Sequence, residues 1–268
     1  MNKIIVHTHT EGCVPQEPLT LRSGCIIAVD KPLDWTSFDV VNRFRIMVKK
    51  AIGLRKIKVG HTGTLDPKAT GLLLLCTGRA TKQIEQLMLD SKEYIATIKL
   101  GATTPSYDSE HEENAHFTYE HITRLMVEEA LSGFLGTTLQ VPPLFSAVSV
   151  GGKRAYDLAR RGKECNLQGK PITINELEIL DFALPYIQVR INCGKGTYIR
   201  SLARDLGEKL GSGAYLTALR RTRLGNVRVE QSFSLEDLPT FLSHAELEEE
   251  GFDPIIPLEP SDNTTNSL

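Results

Sequence analysis

A turn rich in glycine and threonine, residues 60–71, directly precedes an apolar run of four leucines at positions 72–75. The turn contains one acidic residue, Asp66, which is followed by Pro67. Proline fixes its own φ and disfavours the α region for the residue before it, so the pair predicts a carboxylate presented from a stiff, extended turn. Two interpretations of Asp66 follow: a nucleophile at a catalytic site, or an ordinary residue of an Asp-Pro turn.

Strands are predicted far apart in the chain. Apolar and polar residues alternate over residues 94–100 and 187–193, and each run ends at a glycine, which indicates two half-exposed strands. Residues 24–29 form a further run typical of a strand. Together with the helices below, this pattern predicts an α+β fold with a mixed, largely antiparallel central sheet flanked by helices.

Two helices are predicted from caps and apolar spacing. The first begins at Thr36 or Ser37, because Thr36 and Asp39 resemble a capping box, and its exposed side is basic. The second follows Thr197 and ends near Gly211.

The net charge of −2 conceals a strong segregation of sign. Residues 41–60 contain seven basic residues and no acid, whereas residues 236–262 contain nine acids and no Lys or Arg. Two further basic clusters are Lys153, Arg154, Arg160, Arg161 and Lys163, and Arg220, Arg221, Arg223 and Arg228. Any single cluster is compatible with a solvated helix face, but three together favour an RNA partner over a neutral ligand.

Cysteine usage and hydropathy exclude several other classes of protein. The five cysteines are odd in number and scattered, with no Cys-x-x-Cys pair, so neither a disulfide framework nor a zinc site is expected. Cys76 and Cys193 are predicted to be small buried residues. No apolar run approaches the roughly 20 residues of a membrane helix, and residues 1–23 lack the pattern of a secretory signal. A cytoplasmic protein is expected.

Several motifs resemble, in order, those of the TruB family of tRNA pseudouridine synthases, and the resemblance covers roughly residues 24–232. One is the turn at residues 60–71. The others are Val-Asp-Lys-Pro at 29–32, Trp-Thr-Ser at 35–37, Lys-Glu-Tyr at 92–94, Pro-Pro-Leu-Phe-Ser-Ala at 142–147, Gly-Lys-Arg-Ala-Tyr at 152–156, Lys-Gly-Thr-Tyr-Ile-Arg-Ser-Leu at 195–202 and Leu-Arg-Arg-Thr at 219–222.

The resemblance implies the pseudouridine synthase fold and an isomerase that converts uridine 55, in the T-arm loop of tRNA, to pseudouridine without a cofactor or metal. Asp66 is then the catalytic carboxylate, and Arg200 is expected to hold it through a two-pronged contact. Tyr94 corresponds to the tyrosine that stacks on the uracil, with removal of the C5 proton as a second role. From pattern alone, the favoured interpretations are an ordinary strand tyrosine for Tyr94 and a surface arginine near a helix start for Arg200.

The resemblance also implies residues that contact the RNA. Tyr198 and Leu219 correspond to the floor of the pocket, and His61 to the histidine that fills the gap left by the flipped base. Lys31 and Lys82 are candidate phosphate contacts. Each of these residue types is also common in purely structural positions.

The domain organisation predicted from these motifs has four parts. Residues 1–23 form an N-terminal extension, 24–232 the catalytic domain, 233–258 an acidic helical segment and 259–268 a disordered tail. Within the catalytic domain, residues 140–166 correspond to a mobile thumb that closes on RNA. Many bacterial relatives carry a C-terminal RNA-binding module of the PUA type, which is expected to be absent here.

The sequence also bears on two other functions. A P-loop is rejected, because the G-x-x-x-x-G-K-[ST] spacing does not occur. An RNA-folding chaperone that binds tRNA without catalysis remains an alternative. A monomer is expected.

Overall fold

A computed structural model of the chain describes residues 6–9, 19–54, 56–146, 148–150, 152–156 and 167–243. The helices are α1 (Ser37–Ile52), α2 (Ile84–Leu87), α3 (Arg124–Ser132), α4 (Ile199–Lys209) and α5 (Leu238–Ser243), with 3₁₀ turns at Gly78–Gln83 and Val229–Gln231. The strands are β1 (Val6–His7), β2 (Ile26–Lys31), β3 (Val59–His61), β4 (Ala69–Thr77), β5 (Lys92–Leu100), β6 (Ala102–Thr103), β7 (Ala115–His116), β8 (Gly136–Gln140), β9 (Ser149–Val150), β10 (Lys153–Arg154), β11 (Lys170–Ala183), β12 (Tyr186–Cys193), β13 (Ala214–Leu224) and β14 (Val227–Arg228).

One ten-stranded sheet forms the centre of the molecule, with the order β1-β2-β4-β13-β5-β12-β11-β8; β3 also pairs with β4, and β14 with β13. The β1–β2 and β4–β13 pairs are parallel and the other pairs are antiparallel. The predicted α+β class with a mixed, largely antiparallel sheet is confirmed. Two small hairpins, β6–β7 and β9–β10, lie outside this sheet.

The leucine run at positions 72–75 is the middle of β4, which is buried on both faces. Leu73 and Leu75 pack with α1 and α5 on one face of the sheet. Leu72 and Leu74 pack on the other face with α2 and the 3₁₀ turn Gly78–Gln83. Successive side chains of a strand point to opposite faces, so a strand covered on both sides is apolar at every position.

In the half of the sheet that contains β5 and β12, the helices of the described residues cover only one face. Alternate residues of β5 (Tyr94, Ala96, Ile98 and Leu100) are buried under α3 and α4, together with residues of β12. Helix α4 contributes Leu202 and Leu206 to this core. The predicted strands at 94–100 and 187–193, and the predicted helices after Thr36 and Thr197, are confirmed.

Residues on both sides of the range 24–232 pack into the same core. Leu19 and Leu21 are buried, and β1 pairs with β2. The Phe233 N–H donates to the Ala28 carbonyl over 2.9 Å, and α5 packs against α1. The predicted terminal helix is present over Leu238–Ser243.

The cysteines and the predicted thumb are only partly covered by the described residues. Cys76 and Cys193 are buried, as predicted, whereas Cys13 and Cys165 lie outside the described residues. Parts of the predicted thumb and all of residues 244–268 also lie outside them. In the described part of the chain, no helix is both long and apolar enough to cross a membrane.

Candidate active site

Asp66 lies in the loop between β3 and β4, against the start of α1. The Leu65 N–H donates to Ser37 Oγ over 2.8 Å, and Ser37 Oγ donates to the Leu65 carbonyl over 3.1 Å. On the other side, the Ala69 N–H donates to the Asp66 carbonyl over 3.0 Å. The backbone is therefore fixed immediately before and after Asp66.

Lys31, at the end of β2, lies between this loop and the segment that precedes α1. Its side chain is fully buried, and its Nζ donates to the carbonyls of Pro32 (2.8 Å), Trp35 (2.5 Å) and Pro67 (3.4 Å). Burial lowers the pKa of Lys31 to about 8, an effect that the charge of Asp66 opposes. The phosphate contact predicted for Lys31 does not fit this position, because the ammonium group is buried and donates to backbone carbonyls of the protein itself.

Arg221, on β13, supports the beginning of the same loop. It is 1% exposed, and its Nε donates to the Leu72 carbonyl over 2.6 Å, while both terminal nitrogens donate to the Gly63 carbonyl over 3.2 Å. The basic cluster at 220–228 was predicted to meet phosphates, but Arg221 points inward. Its neighbour Arg220 forms a two-pronged contact with Asp30, at 3.1 and 2.6 Å.

Arg200, the second residue of α4, lies beside the Asp66 carboxylate. Its Nε is 2.9 Å from Asp66 Oδ2 and 3.6 Å from Asp108 Oδ2. The terminal nitrogens donate instead to the carbonyls of Ser106 (3.2 Å) and Phe145 (2.9 Å). The predicted pairing is therefore present, but not in the two-pronged geometry, because the backbone carbonyls occupy both terminal nitrogens. The dipole of α4 disfavours a buried cation in its first turn, and the two carboxylates offset this effect.

Asp108 is buried and belongs to the loop that follows β6. Its Oδ1 accepts from Ser106 Oγ over 2.6 Å and from the Glu110 N–H over 3.0 Å. His111 bridges two segments, because its Nδ1 lies 2.9 Å from Ser106 Oγ and its ring centroid 4.9 Å from that of Phe145. The two carbonyls that hold Arg200 therefore belong to residues that His111 contacts.

The Asp66 carboxyl has opposing influences on its pKa. Burial raises the pKa, the Arg200 guanidinium lowers it, and the nearby negative charge of Asp108 raises it again; the net result is a pKa above the ordinary value. The side chain is still 39% exposed, so a substrate can reach it. The site thus combines an accessible carboxylate with a buried cation and a second buried anion.

Tyr94 lies on β5, directly across from Arg221 on β13. The side chain is buried. Burial raises the pKa of the Tyr94 hydroxyl, although the neighbouring Arg221 lowers it. The phenol is therefore protonated at neutral pH.

Tyr198 and Leu219 also lie near the Asp66 carboxyl, and His61 lies five residues before Asp66 in the chain. His61 ends β3, and burial together with the charge of Arg221 lowers its pKa, so the ring is neutral at neutral pH. Tyr198 precedes α4, and its N–H and carbonyl both pair with the Gln140 amide. Leu219 and Asp66 line a cavity of about 10 Å³, the space of roughly one water molecule. A ligand larger than water would therefore reach Asp66 from its exposed side, or after lining residues move.

Lys82 is not brought to Asp66. It is exposed on the 3₁₀ turn Gly78–Gln83, beyond the far end of β4. This position remains compatible with the predicted phosphate contact.

Residues 49–199 match the model of the N-terminal domain of the TruB family pseudouridylate synthases, and residues 200–261 match that of the C-terminal domain of tRNA pseudouridylate synthase B. The chain belongs to the TruB family. The two matched ranges meet inside α4, between Ile199 and Arg200.

Named relatives agree with this assignment. A tRNA pseudouridine synthase B from Phocaeicola vulgatus is 54% identical over 231 residues, which cover 86% of this TruB chain and 98% of the relative. The enzyme of the same name from Flavobacterium johnsoniae is 46% identical over 222 residues, covering 82% and 96%. The TruB chain is thus an isomerase of this family.

Solved structures show the same fold. The archaeal box H/ACA sRNP Nop10-Cbf5 complex contains a chain 26% identical to this TruB chain, with a TM-score of 0.60, covering 88% of this chain and 60% of that one. A chain of an H/ACA RNP bound to a substrate RNA containing 2′-deoxyuridine matches at 25% identity and a TM-score of 0.59, covering 85% and 60%. The pseudouridine synthase fold predicted from the motifs is confirmed.

Sequence reasoning missed Asp108 and the inward role of Arg221. Asp108 follows Thr-Pro-Ser-Tyr, a polar turn with no apolar periodicity to mark it. Arg221 stands in a run of basic residues, and nothing in that run shows which guanidinium is buried. Both roles depend on contacts between segments distant in sequence.

Proposed function

We propose that this TruB chain isomerises uridine 55, in the T-arm loop of tRNA, to pseudouridine. The observation that carries the proposal is the accessible Asp66 carboxylate, 2.9 Å from the buried Arg200 guanidinium, in a chain of the TruB family. The names of the relatives support tRNA as the substrate, and the T-arm position rests on the motifs.

The reaction moves one bond and conserves every atom. The N1–C1′ bond of uridine breaks, the uracil turns, a C5–C1′ bond forms, and the proton on C5 is lost while N1 gains one. The enzyme needs an anion near the sugar or the base, and a surface that keeps the detached base in place.

Asp66 supplies the anion. Its raised pKa makes the carboxylate a stronger base than an ordinary aspartate, while the adjacent Arg200 guanidinium favours its ionised form. Three first steps are chemically available to this carboxylate: attack at C1′, addition to the base, and removal of a proton from the sugar.

Tyr94 is the residue best suited to hold the base. The protonated phenol favours stacking and hydrogen bonding by the ring and hydroxyl over action as a phenolate base. Tyr198 and Leu219 complete the floor of the pocket in this proposal. The neutral His61 ring is suited to stack in the space left by an extruded base, since stacking needs no charge.

The test is to map pseudouridine in a complete elongator tRNA transcript after incubation with the pure protein, in buffer with EDTA and no cofactor. The expected result is one modified position, uridine 55. A transcript with cytidine at that position is the control and should remain unmodified.

Two results would contradict the proposal. Modification at a different uridine would assign another substrate. Tight binding and faster tRNA folding without modification at any position would assign the chain to an RNA-folding chaperone.

A further inference from the structure

A basic cleft lies between the second half of α1 and the segment that leads into β3. Its volume is about 500 Å³, and Arg45, Lys49, Lys56 and Lys58 supply four of its six lining residues. Lys49, Lys56 and Lys58 are exposed, and Arg45 anchors the two walls by donating to the Val59 carbonyl over 2.8 Å. We call these four residues the α1 cleft.

The α1 cleft differs from the paired basic residues elsewhere in the described part of the molecule. Lys68, Lys99, Arg124, Arg190, Arg204 and Arg220 each pair with a carboxylate at 2.6–2.8 Å. Within the described ranges, none of the four residues of the α1 cleft forms an ion pair. Like charges placed together without counter-charges repel one another, and a bound polyanion would relieve that repulsion.

The cleft is separate from the Asp66 site. Ser37 bonds to Leu65, next to Asp66, and Lys49 lies twelve residues further along α1, which corresponds to about 18 Å of helix. On the other wall, the Lys58 carbonyl accepts from the Gly78 N–H over 2.9 Å, so the 3₁₀ turn that carries Lys82 is fixed beside the cleft. The turn with the exposed Lys82 therefore adjoins the cleft.

We propose that the α1 cleft binds backbone phosphates of the substrate RNA outside the loop that contains the target uridine. The proposal rests on the proposed function, because an RNA whose target uridine lies at Asp66 extends beyond the pocket. Flexible ammonium groups suit phosphates as point charges and read no sequence. The cleft would then add affinity without taking part in the chemistry.

The test uses two double variants with the same loss of charge. Lys49→Gln/Lys56→Gln removes one ammonium group from each wall of the cleft. Arg43→Gln/Lys50→Gln is the matched control, because both residues are exposed on the same helix and do not line the cleft. Binding of a labelled T-arm hairpin with its full stem is measured by fluorescence anisotropy at several salt concentrations.

The cleft variant should bind about tenfold more weakly than wild type near 0.1 M salt, with the slope of log K against log salt reduced by about 1.5, since each phosphate contact contributes about 0.7 to 0.9. The control should change by less than about twofold. With the stem cut to two base pairs, the variants should bind alike, because that RNA lacks most of the stem phosphates that the cleft would contact. The single-turnover rate at saturating RNA should be unchanged.

Equal losses for the two double variants would overturn the proposal, because general charge and not the cleft would then set the affinity. The proposal would also be overturned if the cleft variant kept the wild-type salt dependence of RNA binding but lost affinity for polyglutamate. That result would assign the cleft to an acidic protein partner. Anisotropy requires no turnover, so failure of uridine 55 modification would leave this result interpretable on its own.

Discussion

Arg200 is the residue on which the geometry of the site depends. It is 5% exposed and lies between two carboxylates, while both of its terminal nitrogens are committed to backbone carbonyls. A guanidinium fixed in this way can move little. Asp66 therefore faces a positioned charge instead of a flexible one, which favours catalysis by preorganisation.

Asp108→Asn should extend activity to lower pH. The charge of Asp108 raises the pKa of Asp66, so its removal lowers that pKa and keeps Asp66 ionised in more acidic solution. The acid limb of kcat/KM should shift to lower pH. Glu110→Gln, an exposed neighbour, is the control and should leave the limb in place. A limb that moves to higher pH in Asp108→Asn would contradict the electrostatic account.

His111→Ala should slow the chemical step more than it weakens binding. The ring touches Phe145 and bonds to Ser106, and the carbonyls of these two residues hold Arg200. Loss of both contacts should lower the single-turnover rate by about tenfold, since small misplacements of catalytic groups are costly. RNA affinity should change by less than about twofold. His116→Ala, at an exposed position nearby, is the control and should change neither the rate nor the affinity. Weaker RNA binding by His111→Ala with an unchanged single-turnover rate would refute the positioning role.

At the scale of elements, α1 holds the loop that contains Asp66 through its first turn. Thr36 caps the helix by accepting from the Asp39 N–H over 3.0 Å, and the reciprocal bond completes the predicted capping box. Ser37, one residue later, bonds instead to Leu65. Thr36 thus stabilises the start of the helix, whereas Ser37 holds the backbone next to Asp66.

Ser37→Ala should lower kcat, whereas Thr36→Ala should not. Removal of the Ser37 hydroxyl leaves two buried polar groups of Leu65 unpaired, at a cost of about 1–3 kcal/mol, and frees the backbone before Asp66. Thr36→Ala should cost about 1 kcal/mol of stability through the lost cap. Single-turnover rates and urea unfolding of both variants separate the effects. Equal rates in the two variants would rule out a role for Ser37 in supporting the loop.

Some elements were predictable from the sequence and others were not. The pattern of β5 alternates without interruption, and α1 and α4 have clear apolar spacing and termini. Strand β11 is long, but register shifts near Asn175 and Leu180 interrupt its pairing with β12 and break the alternation. Local patterns therefore reveal regular elements and fail where irregular pairing sets which side chains are buried.

The site was predictable to a similar degree. The Asp-Pro turn and the order of the motifs predicted a site containing Asp66, Tyr94 and Arg200, and the fold brings these three residues close together. The burial of Arg221 was not predictable, because its guanidinium donates to carbonyls of Gly63 and Leu72, which are distant in sequence. Lys31 donates mostly to nearby carbonyls, but its burial also depends on the distant loop that contains Pro67. Formal charge predicts where a residue can bind an anion only when tertiary contacts leave it exposed.

At the scale of the whole molecule, the parallel pair β4–β13 joins the two halves of the sheet directly beneath the site. Gly71 on β4 pairs with Arg221 on β13, and its φ is +103°. A Cβ at position 71 would lie 2.3 Å from the Arg221 carbonyl oxygen. The two strands can approach so closely only because residue 71 is glycine.

Gly71→Ala should destabilise the whole fold by about 3 kcal/mol or more, through backbone strain together with the clash against β13. Gly136→Ala is the control, because Gly136 also has a positive φ, +82°, but a Cβ there would have no neighbour within 4 Å. It should cost only the strain, about 1–3 kcal/mol. Urea unfolding measures both. A smaller loss in Gly71→Ala than in Gly136→Ala would contradict the close approach of the two strands.

The most direct test of the central claim is pseudouridine formation in a T-arm stem-loop RNA by wild type and by Asp66→Asn, measured in a single turnover with EDTA present. Asparagine keeps the shape of the side chain and removes its charge, so RNA binding should remain within about threefold of wild type while conversion falls by at least about a thousandfold. Conversion by Asp66→Asn at a rate close to that of wild type would show that the Asp66 carboxylate is not the catalytic group.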